Sequence, residues 1–61
     1  MRMRIGMRVE LVSTNDQWSL LAPGEQGTVT YIDSVGTVHV RWDNGSTLGL
    51  IPAEDRWKVL G

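Results

Sequence analysis

The sequence predicts a small all-β barrel of five strands. Three observations predict it. Apolar and polar residues alternate in short runs, as in MRMRIGMRVELV at the start. Gly, Pro, Asn and Asp separate these runs at intervals suited to hairpins. No window sustains the period of an amphipathic helix, and 61 residues allow a single domain.

The elements follow in order. The first strand is expected at Ile5–Val12, with residues 1–4 as an N-terminal overhang or arm and residues 5–61 as the barrel. The segment STNDQWSLLAPGEQ is polar and too long for a hairpin turn, so it reads as a long first loop ended by the Pro23-Gly24 turn signal. The second strand is expected at Gly27–Ile32 and the third at Thr37–Trp42, joined by a turn that starts at Asp33. Asp43-Asn44-Gly45 is the strongest hairpin signal, because Asn and Gly tolerate positive φ. The fourth strand is expected at Ser46–Ile51. Pro52-Ala53-Glu54-Asp55 reads as one 3₁₀ turn capped or solvated by its acids, and Trp57–Leu60 as the last strand.

The pattern also fixes a register. A two-residue turn at Asn44-Gly45 would pair Arg41 with Leu48 and mix charged with apolar side chains on one face. A three-residue loop with Gly45 in the left-handed region pairs Val40 with Leu48 and Val38 with Leu50, giving one clean apolar face. The inner face is then Val29, Tyr31, Val38, Val40, Leu48 and Leu50, joined by Met7, Val9, Leu11 and Val59. Thr28, Thr30, His39, Arg41, Thr47 and Gly49 face outward. Five short strands, a long first loop, two tight hairpins and a 3₁₀ turn before the last strand match the SH3-like barrel.

Composition excludes several functions. There is no Cys and one His, so disulfides and Cys- or His-based metal sites are not expected, and no cofactor is implied. Six basic and seven acidic residues leave a net charge of −1, which argues against generic binding to a phosphate backbone. No apolar run approaches a membrane span, and the start lacks the apolar stretch of a signal peptide, so an intracellular, cytoplasmic protein is expected. PGEQG lacks the Lys and helix of a phosphate-binding loop. His39 is the one candidate base for nucleophilic catalysis, and the register sets Thr30 and Gly49 beside it rather than a carboxylate. No enzyme is expected.

The stretches GMRVELV, PGEQGTV and GTVHVRWDNGSTLGLIP resemble an uncharacterised bacterial and phage family of small SH3-like proteins. The hairpin VHVRWDNGST is similar to that of the Mib-Herc2 type of SH3-like module, which implies binding to peptide segments of partner proteins. The layout of LGLIPAEDRWKVL is similar to the end of a plasmid-borne, tetrameric SH3-like dihydrofolate reductase. The Gln-Tyr signature of that enzyme is absent, since residues 48–51 read Leu-Gly-Leu-Ile.

The expected function is therefore recognition of a protein or peptide partner. Trp18 stands alone in the polar first loop, where it either meets a partner, as Trp does at interface hot spots, or folds back to cap the barrel with Leu20 and Leu21. In an SH3-like fold this loop and the proline turn flank a groove, which would gather Trp18, Asp16, Glu25, Trp42 and Pro52. The two acids favour a basic or proline-rich segment. The alternative is a nucleic-acid-associated barrel using the terminal cations Arg2, Arg4, Arg8, Arg56 and Lys58. The alternating start is also expected to present an unpaired strand edge, a route to self-association.

Overall fold

The computed structural model describes residues 3–14 and 21–60. Five strands form one antiparallel sheet: β1 Arg8–Ser13, β2 Gln26–Ile32, β3 Val38–Trp42, β4 Gly49–Leu50 and β5 Arg56–Leu60. Their spatial order is β4-β3-β2-β1-β5. In a flat sheet the two edges, β4 and β5, would lie on the order of 19 Å apart at the usual ~4.8 Å strand spacing. Here a single turn joins them, with Ile51 O accepting from the amides of Glu54 at 2.9 Å and Asp55 at 2.8 Å. The sheet must curl to bring its edges together, which produces the expected small barrel.

The core is Val9, Leu11, Leu21, Val29, Val38, Val40, Trp42 and Leu50, with Met3, Met7, Ile32, Leu48, Trp57 and Val59 packed against it. Nine of the ten expected inward residues are in this set. Tyr31 is the exception and is 56% exposed. Val29 pairs with Val40 as expected, but a β-bulge follows. Tyr31 then pairs with His39, and Ile32 with Val38. One inserted residue reverses the facing of everything after it. Ile32 thus turns toward the core and Tyr31 toward solvent.

The β3–β4 loop has the three-residue form. Trp42 N–H donates to Ser46 O at 3.0 Å, Gly45 N–H donates to Trp42 O at 2.9 Å, and Gly45 has φ +90°. Val38 pairs with Leu50. The strand itself is shorter than the expected Ser46–Ile51, for a physical reason. The buried Trp42 indole Nε1–H donates to Leu48 O at 2.9 Å, which draws that carbonyl away from a ladder with Val40.

The first strand starts at Arg8 rather than Ile5. Gly6 has φ +94°, and Met7 N–H donates back to Arg4 O at 3.2 Å. A turn therefore interrupts the alternating run. It leaves Ile5 exposed and returns Met3 to pack on the core. Met1 and Arg2 lie outside the described residues, and Met3 and Arg4, the rest of the expected overhang, are not in a strand.

Asp55 is the buried acid of the fold, at 7% exposure. Its Oδ2 accepts from Ile51 N–H at 2.8 Å and its Oδ1 from the Thr14 hydroxyl at 2.7 Å. It therefore caps the Pro52 turn from inside and ties that turn to the end of β1. Asp55→Ala takes the carboxylate acceptor from the Ile51 amide and the Thr14 hydroxyl and loses two charge-assisted bonds, so it is expected to lower unfolding free energy by about 2 kcal/mol in urea titration.

Gly27 packs where β2 crosses Val40–Trp42. A Cβ there would lie 2.6 Å from Val40 Cγ1, 2.8 Å from Arg41 O and 2.9 Å from Trp42 Cα. Two of these three atoms are backbone and cannot rotate aside. Gly27→Ala is expected to cost about 1–3 kcal/mol, seen as a lower melting temperature.

Candidate functional site

Three of the five residues expected to flank a groove, Glu25, Trp42 and Pro52, are among those described. Trp18 and Asp16 lie outside the described residues. Pro52 is exposed on its turn, beside Asp55, Arg56 and Trp57, and these four line an open depression of about 240 Å³. Next to it Ser13 and residues 52–56 line a second, polar one of about 270 Å³. A register shift between Leu11 and Ser13 sets Ser13 opposite Arg56, and the Thr14–Asp55 bond holds the root of the first loop against the turn. Glu25 is half-buried on the other side of β1, where its carbonyl takes the Leu11 amide at 2.8 Å while Leu11 pairs with Trp57. Trp42 does not belong to this site. It is 1% exposed, since its pairing with Gly27 points it into the core, and it offers no surface to a partner.

Arg8, Lys58 and Arg56 lie on the outward side of the β1–β5 pair, with Glu10 among them. The Arg8 guanidinium binds both carboxylate oxygens of Asp43, at 2.8 and 2.5 Å, and also donates to Thr28 Oγ1 at 3.0 Å. Lys58 pairs with Glu10 at 3.3 Å across β1 and β5. Arg4 and Arg56 are exposed and form no ion pair among the described residues. Arg2 lies outside them. Of the four terminal cations described, Arg8 and Lys58 are thus held by carboxylates.

The outward face of β2–β4 carries a second constellation. Asp33 Oδ1 accepts the amides of Val35 at 3.1 Å and Thr37 at 3.0 Å, as an acid at a turn start should. Its Oδ2 lies 3.0 Å from His39 Nε2. An ionised carboxylate only accepts, so Nε2 carries the proton. The Tyr31 ring lies against His39, with centroids 5.7 Å apart and planes tilted by 44°. Beside them Thr30, His39, Val40, Arg41, Gly45 and Thr47 line a broad depression of about 520 Å³.

Residues 2–60 match the family described as "Domain of unknown function (DUF4314)". The chain belongs to this family. No curated protein and no solved structure matches it.

Two features of this DUF4314 domain escape a reading of its sequence. Asp33 stands beside His39, contrary to the expectation that no carboxylate does; the bulge shifts the hairpin and brings residues six apart together. Trp57 joins Pro52, and the only sequence signal for that is the short interval between them. At Gly49 an added Cβ would lie 2.9 Å from Thr37 Cγ2, so the close packing of Thr37 favours glycine there. Among the described residues no group of His, Cys, Asp and Glu could hold a metal ion, and no helix is long and apolar enough to cross a membrane.

The hydrogen bond from Arg8 holds the Asp43 carboxyl below its usual pKa. The bond from His39, helped by the Thr37 and Val35 amides, does the same for Asp33. A carboxyl lowered in the folded state adds stability that is full above its unfolded value of about 4 and is lost as pH falls through the folded value. Melting temperature is therefore expected to drop as pH is lowered below about 4, and to drop less steeply in Asp43→Asn and Asp33→Asn, measured by circular dichroism across pH.

Proposed function

We propose that this domain is a non-catalytic binding module for an extended segment of a partner protein, working inside the cell. The segment lies across the depression of Pro52, Arg56 and Trp57, and Trp18 of the first loop is its apolar anchor. The observation that carries this reading is the Thr14–Asp55–Ile51 hydrogen-bond chain, which fixes the root of the Trp18 loop to the Pro52 turn. The loop thus starts beside an open, partly apolar depression. The likeness of VHVRWDNGST to the hairpin of the Mib-Herc2 type of SH3-like module supports the same reading. Asp16 and Glu25 favour a basic or proline-rich segment.

The nucleic-acid alternative has less support. It needs several free cations acting on consecutive phosphates, and Arg8 and Lys58 are held by carboxylates.

Random-peptide display on the intact chain tests the proposal. Peptides enriched on the wild type are expected to bind at least about tenfold more weakly to Trp18→Ala and to Pro52→Ala, with melting temperatures unchanged. Failure to enrich any peptide, or binding indifferent to both substitutions, overturns it. Should Trp18→Ala unfold the chain, Pro52→Ala alone decides.

A further inference from the structure

The outward face of β2–β4 lies apart from the Pro52 depression, and nothing above gives it a role. We infer that this face is a second docking surface, and that its occupant is an acidic segment of a partner protein, held by a carboxylate on Arg41. Four observations carry this.

First, Arg41 is exposed within the broad depression and forms no ion pair among the described residues. The acids nearest along its own hairpin are engaged elsewhere, Asp43 with Arg8 and Asp33 with His39. A free guanidinium offers a planar fork that matches a carboxylate through two parallel hydrogen bonds.

Second, the surroundings suit a protein side chain. Thr30 and Thr47 add hydroxyls to the rim of the depression. Tyr31 is more than half exposed and braced against His39, so it presents a ring with little freedom left to lose. Tyr and Arg are the residue types enriched where interfaces carry most of their binding energy.

Third, the depression is only partly enclosed. A small ligand is usually enclosed over most of its surface. This site instead fits a chain lying across it.

Fourth, the charge distribution selects among polymers. Arg41 is the cation of this face that forms no ion pair among the described residues, since Arg8 is bound to Asp43. A nucleic acid needs several free cations for consecutive phosphates. A peptide carboxylate needs one guanidinium.

Amide chemical shifts of the intact ¹⁵N-labelled chain test the inference. The probes are a synthetic peptide of alternating Glu and Thr, the same peptide with Gln for Glu, and oligothymidylate. The acidic peptide is expected to shift Thr30, Tyr31, His39, Arg41 and Thr47 in a saturable way. Its dissociation constant should rise at least about tenfold in Arg41→Gln, and the Gln peptide should leave these signals in place. Arg41 is exposed, so both Arg41→Gln and Arg41→Lys are expected to fold, and Arg41→Lys should bind with intermediate strength. Absence of saturable shifts, shifts insensitive to Arg41→Gln, or tighter binding of oligothymidylate on this face each overturns the inference.

Discussion

The barrel depends on one buried carboxylate. A five-stranded sheet has two edges, and closing it needs a connection that reverses direction within a few residues. Asp55 provides that connection. It holds the Ile51 amide inside the Pro52 turn and takes the Thr14 hydroxyl from beyond the end of β1. One side chain thus joins the β4–β5 connection to β1. This matters more because β4 contributes only two residues to the ladder. So short an edge strand cannot fix its own position, and the Trp42 indole bond to Leu48 O is its second support. A 61-residue chain without disulfides needs such fixed points, since a core of this size supplies little surplus stability.

The regular parts of the fold were legible because side-chain alternation has a fixed period of two. It set Val9, Leu11, Val38 and Val40 inward. The requirement for one clean apolar face then chose the three-residue loop with Gly45 at positive φ. The failures came where the period breaks. At Gly6 the alternation of residue types runs on while the backbone turns, and at Thr30 one extra residue resets the phase. Neither event leaves a mark on hydrophobicity. The site was less legible than the fold. The turn at Pro52 could be read from its residue type, but the contact between His39 and Asp33 exists only after the bulge has shifted the hairpin.

Three acid–base pairs lie on the described surface, Arg8 with Asp43, Lys58 with Glu10, and His39 with Asp33, while Arg4, Arg41 and Arg56 form none among the described residues. The net charge of the chain is −1. A near-neutral chain projects little long-range field and gains little from steering. Recognition must then come from a few side chains at short range.

The bulge after Val29 joins fold and surface. It interrupts the β2–β3 ladder at one residue, and the extra residue lies outside regular pairing. What it does is exchange Tyr31 for Ile32 at the core. Both faces gain from that exchange. A phenolic hydroxyl inside would need a buried partner, whereas Ile32 asks for none. Outside, the ring comes to rest on His39, which Asp33 in turn fixes in place. The same inserted residue therefore removes a polar atom from the core and places an aromatic ring near Arg41 on a face that the barrel itself does not use.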